Sequence, residues 1–168
     1  MSDERKNPSR APFRIAVVGA GDATEDECEA AREVGSALAR AGAIVICGGR
    51  GGVMEAVARG ASEAGGLSIG VLPGLDTSEA NPWIGVPLPT GLGEARNALV
   101  VRAGESVVAV GGGWGTLSEI ALARKMGREV TTLGDPPAGG LGLHASANST
   151  AAAAWAIEAA RNYRERTG

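Results

Sequence analysis

The sequence predicts an α/β protein built on a doubly wound parallel sheet. Short apolar runs rich in β-branched residues recur along the chain, and segments with apolar residues at helical spacing separate them. The runs are continuously apolar rather than alternating, which is typical of parallel strands that are covered on both faces. We therefore expect helices on both faces of the sheet and a ligand site outside the carboxyl ends of its strands.

The first half of the chain begins with a polar stretch, MSDERKNPSRAP, that lacks the apolar segment of a signal peptide. We predict a disordered leader at 1–13, followed by a single domain at 14–168. Thr24 and Glu27 match a capping box at the start of the first helix. The predicted elements are, in order, a strand at 14–21, a helix at 24–42, a strand at 43–49, a helix at 51–66 and a strand at 68–74.

The second half begins with a long loop at 75–93, with a short strand near GVPLP. A proline- and glycine-rich turn, DPPAGGLGLHASANS, precedes an alanine-rich helix that closes the chain. Thr116 and Glu119 match a second capping box. The other predicted elements are a helix at 94–104, a strand at 106–113, a helix at 115–127 and a strand at 129–134.

Composition excludes several classes of function. The 168 residues carry a net charge of −3, and Lys and Arg form no block, so we expect no nucleic-acid partner. Two cysteines, Cys28 and Cys47, and one histidine, His144, support neither a disulfide framework nor a metal site. No apolar run approaches the roughly 20 residues that span a bilayer. We therefore expect a cytoplasmic protein without membrane contacts.

The first candidate site is the glycine pair that ends the first strand, Gly19 and Gly21. The motif GAGDAT contains the first two glycines of G-x-G-x-x-G, but Thr24 stands in the third place. The second strand ends in VICGG without the acidic residue that would hold a ribose hydroxyl. An ordinary dinucleotide site is therefore disfavoured, and the pair is either a ligand contact or a plain turn.

Two further glycine clusters lie between a strand and a helix. Glycines there leave backbone N–H groups open, and the helix N-terminus adds positive potential, so a phosphate can bind. Close helix–strand packing is the alternative for the first cluster, and the capping box of Glu119 is the alternative for the second. The clusters comprise Gly48, Gly49, Arg50, Gly51 and Gly52, and then Gly111, Gly112, Gly113, Trp114, Gly115 and Thr116.

Arg96 is the cation that we expect to accompany these clusters. It lies in the first turn of the predicted helix at 94–104, where a positive charge opposes the helix dipole. A guanidinium can pair with a phosphate through two parallel hydrogen bonds, which would explain this placement. The alternative is a solvated side chain.

Taken together, GGRGGVME, ARN and GGGWGTLSEI resemble the LOG superfamily, which is Rossmann-like and includes the cytokinin-activating nucleoside 5′-monophosphate phosphoribohydrolases. The signature of that superfamily is P-G-G-x-G-T-x-x-E, preceded by an Arg-Lys pair. The resemblance covers roughly 14–134, with Arg96 in the place of the arginine. The residues that match the signature itself are Gly112, Gly113, Gly115, Thr116 and Glu119.

Two departures bring the chain closer to the sister branch that contains the molybdenum cofactor carrier proteins. Gly111 replaces the signature proline, and Asn97 replaces the lysine after the arginine. This resemblance implies binding of a phosphorylated pterin such as molybdenum cofactor, or of another nucleotide-like phosphate ligand, with no established need for hydrolysis. We expect no required cofactor beyond such a bound ligand. The resemblance also implies a homodimer or a larger homo-oligomer.

The resemblance leaves two functions open. A carrier would hold the phosphate on the glycine clusters with Asn97 nearby, would use Trp114 to cover a planar ring, and would need Glu119 only as a cap or an acceptor. A phosphoribohydrolase would use Glu119 to hold the ribose and help activate water, and Arg96 to steady the developing charge. It would release a free base and ribose 5-phosphate. The missing lysine at Asn97 favours the carrier, and a nucleotide-sensing module is a third alternative.

Overall fold

The computed structural model describes residues 11–135, 137, 139 and 141–168. The strands in this part of the chain are β1 (Arg14–Gly19), β2 (Ile44–Cys47), β3 (Ser68–Leu72), β4 (Val86–Pro89), β5 (Ser106–Val110), β6 (Val130–Leu133) and β7 (His144–Ala145). The helices are α1 (Glu25–Arg40), α2 (Val53–Glu63), α3 (Asn97–Ala103), α4 (Trp114–Lys125) and α5 (Ser149–Thr167). A 3-10 turn, Gly93–Arg96, leads directly into α3.

The strands form one sheet in the order β4-β3-β2-β1-β5-β6-β7. Every neighbouring pair is parallel. The chain therefore winds outward from β1 through β2 and β3 to β4, then returns to the other side of β1 with β5. This reversal is a topological switch point, and the crevice above it is the usual ligand site of such sheets. The predicted doubly wound parallel fold is confirmed.

Helices cover both faces of the sheet, as predicted. One face packs against α1, α2 and α5, and the other packs against α3 and α4. The two cores are built almost entirely from Ala, Val, Leu and Ile, because the chain contains few aromatic residues. None of the helices in the described part of the chain is long and apolar enough to cross a bilayer.

The leader and the strand β7 complete the comparison with the sequence. The predicted leader falls mainly on residues 1–10, which lie outside the described residues. The next residues are tied to the domain, because Arg164 donates hydrogen bonds to the carbonyls of Ala11 and Pro12. The strand β7 pairs with β6 inside the segment that the sequence predicts to be a turn. It is short and exposed, so the sequence contains no apolar run that would predict it.

Candidate functional site

A cavity of about 510 Å³ opens at the switch point, above the carboxyl ends of β1, β2 and β5. The structure brings together here most of the residues that the sequence singles out, although these lie far apart along the chain. The predicted site residues that line the cavity are Gly19, Gly21, Gly48, Arg50, Gly51, Arg96, Asn97, Gly113, Gly115, Thr116 and Glu119.

Four predicted site residues do not line the cavity. Gly49, Gly52 and Gly112 have φ angles of 77°, 64° and 116°, which favour glycine, so they shape the loops that carry the lining residues. Trp114 projects into solvent, with 88% of its surface exposed. Its predicted contact with a planar ring stays a prediction.

The N-terminus of α4 forms one wall of the cavity and has no side-chain cap. The predicted capping box of Thr116 and Glu119 is wrong, because the helix begins one turn earlier, with Gly113 as its N-cap. The first N–H groups of α4 therefore have no protein acceptor among the described residues. Such groups form an anion site.

The other helix N-termini show that this lack of a cap is local to the cavity. At the start of α1, Thr24 and Glu27 form the predicted capping box, which is confirmed. At the start of α5, the side chain of Asn148 accepts a hydrogen bond from the N–H of Ala151. The helix α2, which follows the glycine cluster at 48–52, again lacks a side-chain cap. The N–H of Val53 at the start of α2 donates to the carbonyl of Ala20, whereas the first N–H groups of α4 have no acceptor among the described residues.

Arg96 lies at the junction of the 3-10 turn and α3 and is only 8% exposed. No hydrogen bond or ion pair joins its guanidinium to another described residue, and its buried Nε has no partner there. Burial lowers the pKa of Arg96, although Glu119 acts against this shift. A Cβ at position 48 would overlap Nη1 of Arg96 and Sδ of Met54, so Gly48 provides the space in which the guanidinium lies. An unpaired buried cation is costly unless an anion joins it.

Glu119 faces the same cavity from α4 and is only 7% exposed. Burial raises the pKa of its carboxyl group to about 7, and the charge of Arg96 only partly opposes this rise. The two side chains do not form an ion pair. Near neutral pH the carboxyl group is therefore divided between its acid and ionised forms, so it can either donate or accept a proton.

Sequence reasoning missed the apolar floor of the cavity and one of its supports. Val17, Val18 and Met54 form the floor, and no motif distinguishes them from other core residues. Asn81, from the loop between β3 and β4, supports the loop of the glycine cluster at 48–52 through the carbonyls of Gly49 and Arg50. The support by Asn81 could not be read from local spacing, because Gly49 and Arg50 lie more than 30 residues away from it.

Gly111, at the signature proline position, has a physical reason to be glycine. Its φ angle is +51°, which proline cannot adopt, and its N–H donates to the carbonyl of Leu133. A Cβ there would also overlap the carboxyl group of Glu27. The connection after β5 is therefore built around glycine.

We expect Gly111→Pro to lower the free energy of unfolding by about 3 kcal/mol or more, because it loses this hydrogen bond and forces a different φ angle. Urea denaturation measures the change. Gly113→Ala is the matched control, since a Cβ at 113 meets no atom within 4 Å and the φ angle of −131° suits alanine. Equal stability of the proline variant and the wild type would contradict this account.

Comparison with known proteins identifies the family of the chain. Residues 12–161 match the model of the SLOG cluster4 family. An uncharacterized protein of Archaeoglobus fulgidus is 42% identical over 124 residues, which are 74% of this chain and 82% of that protein.

Two solved structures resemble the whole domain. The molybdenum cofactor binding protein of Rippkaea orientalis has a TM-score of 0.78 and 30% identity, over 94% of this chain and 98% of that one. The molybdenum cofactor carrier protein of Chlamydomonas reinhardtii has a TM-score of 0.80 and 37% identity, over 89% of this chain and 98% of that one. The resemblance to the LOG superfamily and its carrier branch is confirmed, and the chain belongs to the SLOG cluster4 family.

Proposed function

We propose that the cavity binds a phosphorylated, nucleotide-like ligand and that this ligand is molybdenum cofactor or its molybdopterin part, held as cargo. The observation that carries the proposal is Arg96, a buried guanidinium that faces the cavity and makes no hydrogen bond or ion pair with the described residues. A phosphate would supply the missing charge and accept the unused hydrogen bonds.

The phosphate would lie between Arg96 and the first turn of α4. The N–H groups of this turn have no acceptor among the described residues, and Gly113 and Gly115 leave open space in front of them. Charge-assisted hydrogen bonds from the guanidinium would add to those of the helix N-terminus. Glu119, in its acid form, would donate a hydrogen bond to an oxygen of the ligand.

The rest of the cavity suits a planar ring system. Its volume of about 510 Å³ falls in the range of small-molecule sites. Glycines on the loops after β1 and β2 let a flat ring approach the backbone closely. The two solved neighbours described above are named for binding or carrying molybdenum cofactor, and they support this choice of ligand.

Retention of the cofactor through gel filtration tests the proposal. The purified protein is mixed with molybdenum cofactor released from a donor molybdoenzyme, and the pterin in the protein peak is oxidised and measured by fluorescence. We expect about one pterin per site, and we expect an excess of inorganic phosphate to reduce it. Elution of all pterin in the small-molecule fractions would overturn the proposal.

A second function, hydrolysis of nucleoside 5′-monophosphates, is favoured by Glu119 alone. Its pKa of about 7 and its burial in the cavity beside Arg96 suit a group that helps to activate water. This reading predicts release of free base and ribose 5-phosphate from a panel of nucleoside 5′-monophosphates, and loss of that release in Glu119→Gln. A panel that stays intact with the wild type would exclude it.

A further inference from the structure

We propose that Asn81 is a positioning residue of this site, because its carboxamide turns two peptide groups of the loop after β2 so that their N–H groups face the ligand. The inference rests on the proposed binding of a phosphorylated ligand. It adds a second set of anion-binding N–H groups opposite the N-terminus of α4.

The contacts of Asn81 are specific to its amide. Its Nδ2 donates to the carbonyl oxygens of Gly49 at 3.1 Å and of Arg50 at 2.8 Å. Its backbone N–H also donates to the Gly49 carbonyl, at 2.9 Å. Its Oδ1 accepts a hydrogen bond from the N–H of Trp83 at 3.1 Å. Asn81 is only 9% exposed, so these bonds replace contacts with water.

The two carbonyl groups determine where the next N–H groups point. In a trans peptide the C=O and the following N–H point in opposite directions. When Asn81 holds the carbonyls of Gly49 and Arg50, the N–H groups of Arg50 and Gly51 are turned the other way. Arg50 and Gly51 line the cavity, and neither N–H has an acceptor in the described part of the chain.

The charges around this loop favour an anion as the acceptor. The side chain of Arg50 is exposed at the cavity, and the buried guanidinium of Arg96 lies close enough that the two cations repel each other. Gly49 has a φ angle of +77°, and a Cβ there would overlap Leu72 and crowd Gly70, so this turn requires glycine. Successive N–H groups beside two cations form a concave anion site. Asn81 thus maintains the loop in the shape that receives a phosphate oxygen.

Inorganic phosphate is the probe for this inference, because it tests the N–H groups without assuming the organic part of the ligand. In a ¹H–¹⁵N titration of the wild-type chain, we expect the amide signals of Arg50 and Gly51 to move together with those of residues 113–116. Movement at 113–116 alone would overturn the role of Asn81 and leave the proposed function standing. No movement at either loop would overturn both.

Two substitutions then test the amide itself. Asn81→Asp keeps the acceptor for Trp83 but loses both donors, and Asn81→Ala removes the amide without adding a charge. We expect each to weaken phosphate binding about tenfold, as seen at the signals of Gly51 and of residues 113–116. Unchanged affinity in a folded variant would overturn the proposal, and the wild-type titration decides it if neither variant folds.

Ser68→Ala is the matched control, because it should loosen the loop between β3 and β4, which carries Asn81, without changing the amide. Ser68 is buried, and its hydroxyl donates to the carbonyl of Trp83 and accepts from the N–H of Gly85, with no hydrogen bond to the described residues of the loop after β2. We expect this variant to lower the melting temperature while keeping phosphate affinity within about twofold of the wild type. An equal loss of affinity in Ser68→Ala and Asn81→Ala would show that loop order alone matters, and would overturn the positioning role.

Discussion

Replacing Arg96 with leucine should abolish ligand retention and, at the same time, stabilise the unliganded protein. The guanidinium is 8% exposed and has no hydrogen bond or ion pair to the described residues. Loss of its charge-assisted hydrogen bonds to a phosphate should weaken binding about 100-fold or more. Gel filtration with molybdenum cofactor measures this loss.

The stabilisation of the unliganded Arg96→Leu protein follows from the burial of the guanidinium. An unsatisfied buried cation costs free energy, and an apolar side chain in its place removes that cost. We expect Arg96→Leu to raise the free energy of unfolding by about 1–3 kcal/mol, as measured by urea denaturation without ligand. Stability and binding should therefore change in opposite directions, which is typical of a residue retained for function.

Arg161→Leu is the control for removal of a positive charge. Arg161 is exposed on α5, forms an ion pair with Glu158 and does not line the cavity. We expect it to change stability by no more than about 0.5 kcal/mol and to leave retention intact. If Arg96→Leu were destabilised and still bound the cofactor, Arg96 would be a structural residue.

The fold could be predicted from the sequence because its signals are local. Runs of apolar and β-branched residues mark β1, β2, β3, β5 and β6, and glycines mark their ends, so the parallel sheet and the loops of the site follow. The short edge strand β7 has no such run, and its place depends on pairing with β6. Local patterns contain no information about that pairing.

The chemistry of the site could be predicted only in part. The unfavourable position of Arg96 near a helix start was a signal, and the structure places this cation in the cavity. Thr116 and Glu119 match the capping pattern, yet the helix starts at Gly113, and the carboxyl group turns into the cavity. Asn81 gave no signal, because its role depends on contacts made by the fold. Distance in sequence, rather than residue type, limited the prediction.

Glu119→Gln should remove a pH dependence of stability that the wild type shows between about pH 5 and pH 8. In the folded protein, burial raises the pKa of Glu119 to about 7, above its ordinary value of 4.5. Between these values the folded state holds a proton that the unfolded state has lost. The contribution of Glu119 to stability is therefore full at low pH and declines as the pH rises to about 7.

This decline should amount to about 2–3 kcal/mol in the wild type between pH 5 and pH 8, and it should be absent in Glu119→Gln, because glutamine resembles the acid form at every pH. Urea denaturation at the two pH values measures it. The carboxyl group of Glu105, which pairs with arginines, has a lowered pKa. Its contribution to stability is therefore lost only as the pH falls through the acidic range. Glu105→Gln should thus keep the slope between pH 5 and pH 8. Equal slopes in Glu119→Gln and the wild type would mean that Glu119 stays ionised, and a carboxylate facing the same cavity would oppose a phosphate rather than donate to it.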